Sequence, residues 1–258
     1  MNPLSHTKWH SAASPSVSLV IPFYNEEESV QSVLTEACLA MEALGCTYEI
    51  IAVDDGSQDA TRLQSAALTQ RWPALRVLAF DKNRGQAAAL LDGLREAQGE
   101  TLLTMDGDGQ NDPGDIARLL HVLNTTHADM VAGVRAKRQD GWLRRRMSRI
   151  ANSVRQRILH DGVRDTGCAL KAFRREVCGA FIPIRTLYSF MPALTVAAGF
   201  RVVELEVNHR IRQTGVSKYG LGVMLWRPLV DMLGVWWFTQ RRFQEIRPSG
   251  FTSTPLCP

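Results

Sequence analysis

The chain has 258 residues, 45% hydrophobic and 22% charged, with a formal net charge of +4. This is an ordinary globular composition that can bury one sizeable core, so one large α/β domain with an appendage is the starting expectation. The five cysteines are an odd number without any Cys-x-x-Cys pair, which excludes a disulfide framework and points to a reduced, cytoplasmic setting.

Residues 1–15 are Ser-, His- and Pro-rich without an apolar run, so they read as a flexible lead-in and not as a secretory signal or a membrane helix. Val17-Ile21 is a β-rich run ended by Pro22. Helical spacing follows over Glu26-Leu44, through Val30, Val33, Leu34, Ala37, Met41 and Leu44, and stops at Gly45. Tyr48-Val53 reads as a second strand, Ala60-Arg71 as a helix up to Trp72-Pro73, and Leu75-Phe80 as a third strand. Gln86-Ala97 is a helix closed by Gly99, and Thr101-Met105 a fourth strand. Short strands separated by helices of this length mean βαβ crossovers and a mostly parallel sheet, whose ligand crevice lies beyond the carboxyl ends of the strands.

Four consecutive strand exits carry polar clusters: Pro22-Phe23-Tyr24-Asn25-Glu26, Asp54-Asp55-Gly56-Ser57, Asp81-Lys82-Asn83-Arg84-Gly85 and Asp106-Gly107-Asp108. Any one of them is a turn by default, but the set builds one crevice. Two carboxylates one residue apart at a strand exit can share a hard divalent cation, which usually completes its shell with phosphate oxygens. An EF-hand is excluded, because Ala117 stands where the bidentate Glu belongs and Asn111 where the central Gly belongs. A phosphate loop, a dinucleotide-binding Gly-x-Gly-x-x-Gly after the first strand and a Gly-x-Ser-x-Gly elbow are all missing.

Further along, Arg135, Lys137, Arg138, Arg144, Arg145, Arg146, Arg149, Arg155 and Arg157 form a basic stretch suited to a phosphate, a polyanion or an anionic membrane, with a solvated helix face as the plain alternative. The helix expected over Leu143-Leu159 puts Leu143, Met147, Ile150, Val154 and Ile158 on one face and arginines on the other. Leu221-Phe238 is amphipathic, but Arg227, Pro228 and Asp231 interrupt it, so it is expected to lie in a membrane interface and not to cross. Packing of both helices on the domain itself or on a partner protein is the alternative.

These motifs, with Asn83-Arg84-Gly85-Gln86, Asp106-Gly107-Asp108-Gly109-Gln110, Gly133-Val134-Arg135, Asp165-Thr166-Gly167-Cys168 and Arg212-Gln213-Thr214-Gly215-Val216-Ser217-Lys218-Tyr219, resemble the family 2 glycosyltransferases of the GT-A fold. The resemblance covers roughly residues 16 to 220 and narrows to dolichyl-phosphate mannose synthase and polyprenyl-phosphate glycosyltransferases. It implies a Rossmann-like, mostly parallel α/β sheet over 16–220, followed by a membrane-proximal helix and tail over 221–258.

By the same resemblance, Pro22, Tyr24, Glu26, Asp54, Asp55, Asn83, Gly85 and Asp106 contact the nucleotide sugar, a UDP- or GDP-sugar. Asp106, Asp108 and Gln110 hold Mg2+ or Mn2+. Arg135, Arg144 and Ser148 meet the phosphate of a polyprenyl phosphate acceptor, with Arg212, Ser217 and Lys218 as a clamp near the phosphates. Asp108, Arg135 and Asp165 are the candidates for catalysis, Asp165 either as a base toward an alcohol acceptor or as an orienting group for Arg or Lys neighbours.

A phosphate monoester is already ionised at neutral pH, with a second pKa near ~6, so an arginine-lined site without an obvious catalytic His favours it over a hydroxyl. A family 2 enzyme acting on a hydroxyl of another lipid or a polysaccharide is the rival. A catalytically silent, membrane-associated nucleotide-sugar-binding subunit is the other. Gly109 and Pro113-Gly114 depart from the family's usual Leu and Pro-Pro, so the motif does not fix the donor sugar. The expected location is the cytoplasmic face of the inner membrane, peripherally attached, with a membrane protein or a second copy as further partner and no nucleic acid.

Overall fold

The computed structural model describes residues 14–135, 155–159, 161–210 and 221–242, with the side chains of 221–229 outside that description. Its centre is a seven-stranded sheet built from β1 (Val17–Phe23), β2 (Tyr48–Asp54), β3 (Leu75–Ala79), β4 (Thr101–Thr104), β5 (Met130–Arg135), β6 (Lys171–Arg174) and β7 (Val202–Val207). The strand order is β3-β2-β1-β4-β6-β5-β7, and β6 alone runs antiparallel to its neighbours.

Side chains alternate across the strands, and the helices cover both faces. On one face Leu19, Ile21, Ile50, Leu103 and Val131 meet Val30, Val33, Leu34, Ala37 and Met41 of α1 (Val30–Glu42) and Ile116, Leu119 and Leu123 of α4 (Ile116–Thr125). The other face packs Val20, Ile51, Val53, Leu102 and Phe173 against α3 (Gln86–Glu96) and α5 (Leu187–Ala197), with Met232 and Val235 of α6 (Leu221–Arg241) joining the same core. A shorter helix, α2 (Thr61–Leu68), links β2 to β3. Tight packing shows where a methyl would not fit: a Cβ on Gly93 of α3 would lie 2.5 Å from Val20 Cγ1.

Several element boundaries differ from the expected ones, the second helix for instance ending at Leu68 and not at Arg71, and two of the shifts have a clear local cause. The first strand continues through Pro22 to Phe23, because its pairing with β4 ends at Val20↔Thr104 and the missing proline N–H is not needed beyond it. The first helix starts at Val30 and not at Glu26, since residues 26–29 form the turn that enters it, where Val30 N donates to Glu26 O at 2.9 Å.

Of the arginine-rich helix, residues 155–159 are described, and they are helical. Arg155 is buried and donates to Asp161 Oδ2 at 2.6 Å and to Val163 O, while the Asp161 side chain has no exposed surface. A guanidinium taken out of water is tolerable only with its counter-charge. Asp161→Asn removes that charge and is expected to lower unfolding free energy by about 3–5 kcal/mol, read from urea denaturation midpoints with an unchanged m-value.

Candidate active site

Parallel strands bring the exits of β1, β2, β3 and β4 to one end of the sheet, and hydrogen bonds between their loops lock them together. Asn25 sits in the left-handed region (φ 50°), its N–H donating to Ser57 Oγ at 2.9 Å and its Oδ1 accepting from Gln58 N at 2.8 Å. Glu26 N donates to Thr61 Oγ1 at 2.8 Å. The Asp55 carboxylate accepts from Arg84 N and Gly85 N, each at 2.8 Å, so it braces the Asn83–Gly85 loop from below. Gly56 allows the close approach: a Cβ there would lie 2.4 Å from the Lys82 carbonyl carbon. The two acidic residues at the end of β2 therefore differ. Asp54 is buried, its Oδ1 accepts from Ser57 N at 3.2 Å, and its Oδ2 has no hydrogen-bond partner among the described residues. A buried acceptor of this kind fits an N–H donor arriving with a ligand.

The acidic loop leaves β4 next to this cluster. Asp106 N donates to Asn111 Oδ1 at 3.1 Å, Asp106 Oδ1 accepts from Gln86 Nε2 at 2.6 Å, and Asp108 Oδ1 accepts from Gln110 N at 3.1 Å. Between the carboxylates only glycine fits, since a Cβ on Gly107 would stand 2.4 Å from Phe23 Cδ1. Burial, and then the charge of Asp108, push the Asp106 carboxyl up to about 7, while Lys171 and Arg135 pull it back. Among the described residues no group of three or more His, Cys, Asp or Glu could hold a metal ion; these two carboxylates are a pair. Their mutual repulsion fits a divalent cation that takes its remaining ligands from an amide, phosphates and water.

Across the antiparallel β6 lies the cationic side. Arg135, at the end of β5, donates from Nε to Asp165 Oδ2 at 2.8 Å and from Nη2 to Asp165 Oδ1 at 2.9 Å, and its backbone N reaches Oδ2 at 3.2 Å. Both Asp165 oxygens face the guanidinium fork. Gly167 leaves room for that fork, since a Cβ there would meet Arg135 Nη2 at 2.6 Å. Arg144, Ser148, Arg212, Ser217 and Lys218 lie outside the described residues.

Lys171 has no role in the sequence reading. It is fully buried, pairs in register with Thr104 of β4, and donates to Cys168 O. With Gln86, Asp106, Tyr188 and Met191 it lines a small cavity under the acidic loop. Its one sequence signal is a cation inside the otherwise apolar run Leu170–Phe173.

The Glycosyl transferase family 2 model matches residues 18–181, and the chain belongs to that family. It is 38% identical over 207 residues to the undecaprenyl-phosphate 4-deoxy-4-formamido-L-arabinose transferase of Edwardsiella ictaluri, covering 80% of this chain and 63% of the relative. It is also 36% identical over 242 residues to the dodecaprenyl-phosphate galacturonate synthase of Rhizobium johnstonii, covering 92% of this chain and 70% of the relative. The chain thus spans less than two thirds of the arabinose transferase's length. Among solved structures, glucosyl-3-phosphoglycerate synthase from Mycobacterium tuberculosis, in complex with Mn2+, UDP-glucose and phosphoglyceric acid, superposes with a TM-score of 0.67 at 18% identity, over 86% of this chain and 80% of that one. A mannosyltransferase from Pyrobaculum calidifontis in complex with GDP-Man and Mn2+ superposes at 0.59 and 22% identity, over 89% and 67%. The fold is that of the GT-A glycosyltransferases.

In the ion-free protein Asp106 is expected to hold its proton to about pH 7. Its folded pKa lies above the ordinary value of 3.8, so folding binds the extra proton between these limits and stability through this group falls as pH rises from about 3.8 to about 7. Asp108→Asn removes one cause of the shift. Carboxyl-carbon NMR on chelator-treated protein should show the Asp106 midpoint moving down, and the pH slope of the urea midpoint flattening; an unmoved midpoint would show that the two carboxylates do not interact.

Proposed function

We propose that this chain transfers a sugar from a nucleotide diphosphate sugar to a polyprenyl phosphate in one inverting displacement. The observation that carries the proposal is the carboxylate pair Asp106 and Asp108 on one strand exit, within electrostatic reach of an arginine held in place by Asp165 on the next but one. The pair fits a divalent ion beside a diphosphate, and the fork fits a second, separate phosphate. The relatives named for undecaprenyl- and dodecaprenyl-phosphate acceptors support the same reading.

In this reading Asp54 offers its buried Oδ2 to the base, Pro22, Tyr24 and Glu26 wall the nucleotide, and Asp55 keeps Asn83 and Gly85 in place around it. Asp106, Asp108 and Gln110 would hold Mg2+ or Mn2+, which would supply positive charge to the nucleoside diphosphate leaving group. Arg135, joined by Arg144 and Ser148, orients the acceptor phosphate, while Arg212, Ser217 and Lys218 close on the phosphates. The acceptor is ionised on arrival, so no side chain has to take its proton. Asp165 is accordingly a positioning residue for Arg135.

Membrane attachment belongs to the same proposal, with residues 16–220 as the transferase domain and 221–258 as the membrane-proximal part. Among the described residues no helix is long and apolar enough to cross a membrane. On α6, Val230, Leu233, Trp236 and Trp237 are exposed while Met232 and Val235 are buried, and Arg241 lies over the Trp237 ring at 5.1 Å. Tryptophans flanked by arginines suit the headgroup level of the cytoplasmic membrane surface.

A panel of UDP- and GDP-sugars with undecaprenyl phosphate and Mn2+, products identified by mass, tests the chemistry. Asp108→Ala is expected to lose at least two orders of magnitude in turnover while keeping its fold. Arg135→Ala is expected to raise the acceptor KM more than the donor KM. Efficient transfer to the unphosphorylated polyprenol would support the hydroxyl-acceptor rival, and binding of nucleotide sugar without any product would support a silent subunit.

For attachment, release of the protein from membranes by high salt or carbonate is the expected outcome, enhanced in Trp236→Ser/Trp237→Ser. Recovery only with detergent would overturn the peripheral reading.

A further inference from the structure

The acidic loop is supported from a side that its own residues do not mark. Past Val207, the last residue of β7, the chain runs antiparallel to the loop: Asn111 and His209 form a β-bridge, and Arg210 N donates to Gln110 O at 2.8 Å. Asn208 N donates to Asp115 Oδ2 at 2.6 Å. The Arg210 guanidinium then spans two elements, with Nη1 on Glu36 of α1 and Nη2 on Asp112 Oδ1 at 2.9 Å. Arg210 and Glu36 wall a cleft of about 90 Å³ that also contains Ser32, Asp108 and Asn111.

We infer that Arg210 is a positioning residue for the acidic loop, setting how Asp108 and Gln110 are presented to a divalent ion by tying the loop to α1 through Glu36. The inference rests on the reading of Asp106, Asp108 and Gln110 as the ion-holding group. Arg210 grips both ends of the Gln110–Asp112 stretch, one by its main chain and one by its side chain. Gln110 N in turn holds Asp108 Oδ1 at 3.1 Å, so a shift of Gln110 carries the carboxylate with it. The other end of the tether is anchored, because Val33 and Ala37 on either side of Glu36 are buried in the core.

The guanidinium and the Glu36 carboxylate are both part-exposed, with side-chain exposures of 39% and 44%, so breaking their contact costs the fold little. What is lost is the registration of the loop. Groups that orient metal ligands without touching the ion typically govern affinity by about 10- to 100-fold. A lysine, a point charge on a flexible stem, can satisfy one of the two carboxylates but not bridge both.

The test uses the full chain as wild type, Arg210→Ala, Arg210→Lys, Glu36→Ala and the Arg210→Ala/Glu36→Ala double variant. Free Mn2+ is measured by electron paramagnetic resonance with UDP or GDP present, and melting temperature in chelator serves as the fold control. Arg210→Ala is expected to weaken Mn2+ binding about tenfold or more, Arg210→Lys by less, and the Arg210→Ala/Glu36→Ala double variant no further than Arg210→Ala alone, because the two act through one contact. In turnover, the apparent activation constant for Mn2+ should rise much more than kcat at saturating Mn2+ falls.

Wild-type Mn2+ affinity in a folded Arg210→Ala overturns this inference and leaves the proposed function standing. Failure of the wild type to bind Mn2+ with either nucleotide overturns both. If Arg210→Ala melts many degrees lower, Glu36→Ala decides, since it removes the acceptor of the same tether from a part-exposed position: unchanged Mn2+ affinity there overturns the inference.

Discussion

The site is organised around a repulsion. Asp106 and Asp108 are held one residue apart at the end of a buried strand, and the charge of Asp108 makes the ionisation of Asp106 harder. Left alone, such a pair would swing outward into water. Three constraints prevent it: Gly107 is wedged against Phe23, Asp106 is gripped by Gln86 from α3 and by the Asn111 side chain, and Asp108 is tied to Gln110. A pair kept together against its own field is preorganised, its geometry set before any ligand arrives.

The reversal of β6 supplies the opposing charge. If β4 were followed in the sheet by another parallel strand, the next residues at the exit would come from a second loop of the same kind. Instead β6 enters the sheet at this end, so Lys171 pairs with Thr104 just before Asp106, and β5 beyond it delivers Arg135. Both cations lower the proton affinity of Asp106. Buried charge is tolerated on each side because the other side is near, with the carboxylates at the exit of β4 and the guanidinium at the exit of β5.

The first half of the fold was legible in the sequence, and the second half was not, for physical reasons. Strands buried on both faces, such as Leu19-Val20-Ile21 and Ile50-Ile51-Ala52-Val53, read as continuous apolar runs, and the polar exits after them stand out by contrast. The strand β6 has four residues, two of them the charged Lys171 and Arg174, and nothing in that sequence signals direction, which is set by the partners on either side. Site residues divide the same way. The Asp106–Gln110 loop could be found from local spacing, but the division of labour within Asp54-Asp55 could not, because it depends on where the main-chain N–H groups of Arg84 and Gly85 arrive. Arg210 was hidden likewise, its partners lying 98 and 174 residues away.

The last helix shows how one buried polar contact decides what a surface presents. By periodicity, α6 has enough apolar residues to face either the domain or a membrane, and its sequence does not say which stripe goes where. Asp231, one of the residues that interrupt the apolar run, accepts from Thr186 Oγ1 at 2.6 Å, just before α5 begins. That bond, with Met232 and Val235 in the core, fixes the roll of the helix. At 100° per residue, Val230, Leu233 and Trp237 must then point the opposite way, with Trp236 on the flank. A carboxylate turned inward is therefore what turns the tryptophans outward, and the same helix that completes the core on one side presents an exposed apolar stripe on the other.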